Sequence, residues 1–227
     1  MQANAGDPPT LSDLLELLNS QDLGDRLRAV NLARHLPGAE TLVLLQQAVK
    51  DESPRVRYAA ISQMGTVSGV DPDRVLPILR QALEQDPEFD VRAAAAAALG
   101  DLKQPQALTD LLAAYQRETE WLVQFSIVAA LGELGNPDAF DTLVQALQGS
   151  SELISTAAAA ALGDLGDPRA IPFLEPLIDS GDWQLRYRVC IALAKLGTEA
   201  ARPGLMRLAQ DPQEQVAVHA RNALGSL

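Results

Sequence analysis

Residues 121–135 read WLVQFSIVAALGELG and residues 152–166 read ELISTAAAAALGDLG. Both end in Ala-Leu-Gly, an acid, and Leu-Gly, 31 residues apart. Working outward from these two stretches, Leu or Met followed by a small residue recurs at Met64-Gly65, Leu99-Gly100, Leu131-Gly132, Leu162-Gly163, Leu193-Ala194 and Leu224-Gly225, in steps of 35, 32, 31, 31 and 31. A fixed period in this range is the signature of a repeat array. Proline keeps the same register, since Pro105, Pro137 and Pro168 each follow one of these glycines by five residues. Proline in a first helical turn loses nothing, because that N–H has no intrahelical partner.

Each unit reads as a helix, a short polar turn such as Asp51-Glu-Ser-Pro54, and a second helix carrying the small marker residue near its end. Counted back from the marker, position −9 holds Val56, Val91, Val123, Ile154, Leu185 and Val216, and position −5 holds Ala60, Ala95, Ile127, Ala158, Val189 and Ala220. With −2 and −1 these fall within about 100° of the helix circumference, which predicts the buried stripe. Small residues there let successive units stack closely, and the product is an α-solenoid in which each unit contacts its neighbours.

Composition agrees. The chain is 47% hydrophobic but only 4% aromatic, as expected of closely spaced helices packed from Ala and Leu. Its net charge of −12 argues against nucleic-acid binding by phosphate neutralisation. The longest apolar run, Ala93–Leu99, is far too short to span a membrane. The first residues lack the basic and apolar regions of a signal peptide. A single cysteine, Cys190, allows no internal disulfide and fits a reducing, cytoplasmic setting. It is expected to be a small packed residue, since nothing at fixed spacing activates a thiol. No HExxH, His/Cys cluster, phosphate loop or GxSxG occurs, so no metal site is expected and the catalytic residues are unknown. The histidines, His35 and His219, fall in the first and last units.

Position −14 holds Asp51, Asp86, Glu118, Gly149, Ser180 and Asp211, while −8 holds Arg57, Arg92, Gln124, Ser155, Arg186 and Ala217. Asp22 and Arg28 have the same six-residue separation in the first unit. An acid in the turn and an arginine one turn into the second helix can bond across stacked units, and the acid can cap the helix. This spacing resembles HEAT repeats, in the short variety of about 30 residues found in phycobilisome lyase-type proteins. The expected fold is an all-α, HEAT-like right-handed superhelix of seven helix pairs. Its units fall at about 11–38, 39–69, 73–104, 105–135, 136–166, 167–197 and 198–227, behind a disordered segment, 1–10.

One feature rises above the repeat. Position −11 holds Pro54, Phe89, Trp121, Glu152, Trp183 and Glu214, and −7 holds Tyr58, Ala93, Phe125, Thr156, Tyr187 and Val218. Six of the nine aromatics of the chain stand in these two columns. They point roughly 140° from the buried stripe, with Trp121 one turn from Phe125 and Trp183 one turn from Tyr187. Second helices line the concave side of such a solenoid, so the rings are expected to face a groove. Arg57, Arg186 and Arg188 lie among them, which predicts an aromatic and cationic surface suited to a flat conjugated ligand with carboxylates, or to a partner exposing one. Rings filling gaps between helices are the competing account, most evenly balanced for Tyr58 and Phe89.

Glu120–Gly135, Gly166–Ala170, Asp182–Val189, Asp22–Asn31 and Arg55–Ala59 together resemble the cyanobacterial non-bleaching (NblB) family of phycobilisome degradation proteins, over about residues 11–225. The resemblance implies a factor acting in phycobilisome disassembly during nutrient starvation, in the cytoplasm at thylakoid-bound phycobilisomes. It implies as partners the phycobiliproteins phycocyanin and allophycocyanin, and other degradation factors or a protease adaptor. No cofactor is obligatory; phycocyanobilin is the candidate ligand. Three readings stay open: detachment of thioether-linked phycocyanobilin, non-enzymatic delivery of phycobiliproteins to proteolysis, and lyase-type attachment of the bilin. The last fits less well, because E/F-type lyases work as heterodimers. If chemistry occurs, Tyr58, Tyr187, Asp90, Glu120 and Asp182 are the groups available to move a proton.

Overall fold

A computed structural model describes residues 8–226 and contains no strand among them. Residues 1–7 of the expected disordered segment lie outside the described residues; Thr10 opens the first helix through a reciprocal capping box with Asp13. The chain divides into two compact units, one up to Ala107 and one from Leu108 onward. The first holds three helix pairs, α1 (Leu11–Leu18) with α2 (Leu23–Leu32), α3 (Gly38–Ala48) with α4 (Pro54–Met64), and α5 (Pro72–Gln85) with α6 (Phe89–Asp101). The second, beginning at the helix that opens on the boundary, holds α7 (Ala107–Arg117) with α8 (Trp121–Leu134), α9 (Phe140–Leu147) with α10 (Glu152–Leu165), α11 (Ile171–Leu174) with α12 (Trp183–Leu196), and α13 (Arg202–Leu208) with α14 (Glu214–Leu224).

Local chemistry explains the boundaries. Pro137 and Pro168 begin short 3-10 turns that feed α9 and α11, and Asn136 and Asp167 cap those turns through the Asp138 and Arg169 amides. Pro176 follows α11 within one turn, and the chain continues as a 3-10 segment, Glu175–Asp179, because proline lacks the donor that a longer helix needs. Three residues past the marker, Gly135, Gly166 and Gly197 adopt left-handed conformations (φ +64°, +70° and +58°) and terminate α8, α10 and α12.

Every residue of the predicted −9 and −5 columns is buried. Second helices pack side by side, α2 on α4 on α6 in one unit and α8 on α10 on α12 on α14 in the other. The marker glycines set this approach. A Cβ on Gly132 would stand 2.7 Å from the Ala161 Cβ, and one on Gly163 would stand 2.7 Å from the Ala192 Cα. Gly163→Ala is therefore expected to destabilise the protein by about 1–3 kcal/mol through overpacking, which a lowered denaturant midpoint would register; an unchanged midpoint would mean that α10 and α12 separate without cost.

The Asp/Arg ladder forms between successive pairs. Arg57 Nε and Nη2 donate to the Asp86 carboxylate (2.8 and 2.9 Å), while Nη1 donates to the Asp51 carbonyl (3.1 Å). Arg186 repeats the arrangement with Asp211 (2.6 and 2.9 Å) and the Ser180 carbonyl (2.7 Å). Each arginine thus fastens its own turn to the acid of the next helix pair. Where −8 is not arginine, Gln124 still donates to the Glu118 carbonyl at 2.8 Å.

Two details differ from the sequence expectation. In the first helix pair the ladder arginine is Arg26, not Arg28. Arg26 is buried, donates to Asp51 (2.9 Å) and spans back six residues to the Ser20 carbonyl (3.2 Å), whereas Arg28 is exposed and Asp22 caps α2. The register is shifted by two because only Arg26 leaves α2 on the side facing Asp51. The acids also sit two residues before the N-cap. Asp51, Asp86 and Asp211 accept the amides of Ser53, Glu88 and Gln213 at 2.8, 3.0 and 2.8 Å, so they brace the turn rather than cap the helix.

The hydrogen bond from Arg186, against a smaller opposing effect of burial, holds the Asp211 carboxyl below the usual carboxylate range. A group whose folded pKa is depressed contributes stability above its unfolded value, about 3.9, and that contribution is lost as pH falls through the lower folded value. Asp211→Asn is therefore expected to cost stability at neutral pH and to converge with the parent protein in acid. Urea midpoints across pH check this; a constant difference between the two proteins contradicts it.

Candidate functional site

The second helices carry the predicted columns outward. In the first unit, Tyr58 on α4 and Phe89 on α6 are 48% and 42% exposed. In the second, Trp121 and Phe125 on α8 are 53% and 36% exposed and Trp183 on α12 is 37% exposed. Tyr187 is half-buried because its ring meets His219 of α14 edge-to-face, with centroids 5.6 Å apart. The aromatics outside the columns behave differently. Tyr115 and Phe140 are buried, and Phe140 packs edge-to-face on Phe173 at 6.2 Å. Rings of the first helices are buried or, for Phe173, half-buried, while five of the six rings of the second-helix columns are exposed.

The surface of the second unit is built by α8, α10, α12 and α14 standing side by side. Two of its residues, Leu153 and His219, stand outside the two sequence columns, and Val218 stands in the −7 column among the aromatics. Leu153, one place after Glu152 on α10, is 58% exposed, and Val218 on α14 is 40% exposed. His219 joins Tyr187, Glu214, Gln215, Val218 and Asn222 around a shallow depression of about 340 Å³. Leu153 was legible as an apolar residue in a column otherwise mixed in character; His219 was not, because its neighbour Tyr187 belongs to the preceding helix pair.

The cationic half of the expectation needs correction. Arg57 and Arg186 do not line this surface as binding groups. Their side chains are about nine-tenths buried, and each guanidinium is engaged by a carboxylate and backbone carbonyls of the ladder. Hydrogen bonding to Asp86 and Asp211, stronger than the opposing burial, raises both guanidinium pKa values. Arg188 is exposed on α12, and Arg55 is exposed on α4 one turn from Tyr58. Among the turn acids, Asp182 caps α12 through the Gln184 amide (2.9 Å), while Glu120 occupies the N-cap of α8 without a side-chain bond and is exposed.

Cys190 lies beneath this surface, fully buried, with Sγ 3.9 Å from the Val216 carbonyl. Burial, reinforced by the charge of Asp211, pushes its thiol up to about 12. Nucleophilic chemistry needs the thiolate. The expected result is that an alkylating reagent at mildly alkaline pH leaves native Cys190 unmodified but adds one adduct to the unfolded chain by mass; rapid labelling of native protein would contradict this. Among the described residues no group of three or more His, Cys, Asp or Glu could hold a metal ion, His35 is exposed, and no helix is long and apolar enough to cross a membrane.

Known proteins place this architecture. No curated protein matches the chain. Among solved structures it is similar to a chain of the complex of CpcE and CpcF of phycocyanin lyase from Nostoc sp. PCC7120. There the TM-score is 0.63 with 23% identity, over 100% of this chain and 98% of that one. It is also similar to an engineered protein, with a TM-score of 0.59 and 18% identity, over 95% of this chain and 67% of that one. At these identities the likeness is one of fold. The family model for HEAT repeats matches residues 11–87, 41–131 and 111–184, most of the helix pairs described above. That match spans more than half of the chain and falls on the paired helices with their stacked second members, and the chain belongs to the HEAT-repeat family.

Proposed function

We propose that this chain is a phycobilisome lyase-type HEAT-repeat protein that binds phycobiliproteins through its second-helix face and handles their bilin during phycobilisome disassembly. The observation that carries the reading is the outward placement of Trp121, Phe125 and Trp183 in a protein with few aromatics, where exposed apolar patches mark binding surfaces. Two further points support it: the sequence resemblance across residues 11–225, and full-length similarity in fold to a chain of the CpcE–CpcF complex. Phycocyanin and allophycocyanin are the proposed partners, in the cytoplasm at the thylakoid surface, with residues 11–227 acting as one domain.

Detachment of a thioether-linked bilin is an elimination. The carbon–sulfur bond breaks, a neighbouring bilin carbon gives up a proton, and the cysteine of the phycobiliprotein regains its thiol, with no change in oxidation state. The chain would have to supply only a proton acceptor and donor beside the rings, and Glu120, Asp182 and Tyr187 are the groups placed there. The buried, high-pKa thiol of Cys190 favours a second reading, in which the chain grips phycobiliproteins without covalent chemistry and passes them on to proteolysis.

Mixing the purified protein with holo-phycocyanin separates these outcomes. Loss of the visible band together with free bilin supports detachment. A stable complex with the spectrum of bound chromophore supports delivery. Absence of both binding and bilin release would overturn the proposal.

A further inference from the structure

Across the four second helices of the unit beginning at Leu108, the outward position eleven residues before the marker holds Trp121, Glu152, Trp183 and Glu214. All four are exposed, so ring and carboxylate alternate from one helix to the next. The close approach at Gly132 and Gly163 keeps neighbouring helices at the short end of helix spacing, about 8 Å. Glu152 belongs to α10, the helix packed between the two that carry the indoles. Beside this row lie Phe125, Leu153 and Val218, all at least 36% exposed.

Carboxylates dominate the charge here. Glu120 and Asp182 stand at the N-termini of α8 and α12, next to the two tryptophans. Against them are Arg188, exposed on α12, and Arg221, which pairs with Glu214 at 2.8 Å where both side chains are more than half exposed. Arg186 is held in the ladder. Carboxylates of a ligand meet like charge along this row, so the row itself seats the protein that carries a bilin and not the bilin's own carboxylates. A guanidinium instead meets an indole face and an adjacent carboxylate, the two groups it binds best.

We infer that this face docks an arginine-bearing amphipathic segment of a partner protein, with arginines seated between the tryptophans and Glu152 or Glu214 and apolar side chains covering Leu153 and Val218. The inference rests on reading the aromatic face as a binding surface, and it gives that face a cationic protein segment as its occupant. A row four helices wide matches a helical segment of about 16 residues.

The test uses the full chain and three synthetic helical peptides of that length, with arginine, lysine or glutamate at every fourth position and leucine or alanine elsewhere. Calorimetry and the emission of the two tryptophans follow binding. The arginine peptide is expected to bind at least about tenfold more tightly than the glutamate peptide, with lysine between them and with affinity falling as salt rises. Glu152→Gln with Glu214→Gln is expected to weaken the arginine peptide about tenfold, leaving helix content and melting unchanged. Equal affinity for the arginine and glutamate peptides, or no effect of the paired Gln substitutions, overturns the inference. So does a dimer of the chain that Trp121→Ala dissociates, since the face would then be its own interface. Holo-phycocyanin, tested on the same proteins, separates the two readings. Arginine-peptide binding without holo-phycocyanin binding sinks the proposed function alone. Holo-phycocyanin binding that the Gln substitutions leave intact, with the arginine peptide ignored, sinks this inference alone.

Discussion

Arg186→Ala is expected to lower the unfolding free energy by about 3 kcal/mol, the scale seen when one partner of a buried ion pair is removed. The Asp211 side chain is only 4% exposed and would keep its charge without the two guanidinium donors that now meet it. The Ser180 carbonyl would lose its donor as well, freeing the turn before α12. In a protein of this size the loss corresponds to a fall in Tm of roughly 10 °C. The diagnostic comparison is the double variant Arg186→Met with Asp211→Leu, which removes both charges and is expected to recover most of the loss. A single variant costing less than about 1 kcal/mol would place the pair among exposed salt bridges of little consequence.

Trp121→Ala combined with Trp183→Ala is expected to produce the opposite pattern, abolishing binding of holo-phycocyanin while changing stability little. Core tryptophan truncations cost about 3–5 kcal/mol. Here the side chains are 53% and 37% exposed, and each exposed ring is expected to cost about 1 kcal/mol or less. The two large expected effects thus arise one turn apart on one helix: Arg186, held by the Ser180 carbonyl and the Asp211 carboxylate, secures the stack without forming the binding surface, and Trp183, three residues before it, forms the surface without securing the stack. A double tryptophan variant that unfolds would show that the rings belong to the core.

Much of the fold was legible because repetition averages out local ambiguity. The −9 and −5 columns were readable as core since six successive units repeat them, and all are buried. The first repeat has no marker glycine to fix its register, so the six-residue spacing of Asp22 and Arg28 points to the wrong arginine, because Arg26 has Ser20 and not an acid at that spacing. Only the geometry of α2 against Asp51 selects Arg26. The aromatic columns were legible for the same reason as the core: helical periodicity places −11 and −7 opposite the buried stripe. The electrostatics of the surface were not. Arg57, Arg186 and Arg188 look alike in sequence, yet the first two turn toward the acid of the next helix pair while the third is exposed. Glu152 and Glu214, which interrupt the aromatic pattern in sequence, set the charge of the face once the helices stand side by side.

The two tryptophans of the chain both stand on this face, so intrinsic fluorescence reports on it without any label. The most direct measurement is a titration of the native protein with holo-phycocyanin, monitoring emission from Trp121 and Trp183 against a Trp-free phycobiliprotein background or with the background subtracted. The account predicts saturable quenching as the bilin-bearing partner covers the rings, with half the effect lost in each single Trp→Phe variant. Emission that stays unchanged through the titration, in protein shown by its melting curve to be folded, would contradict it.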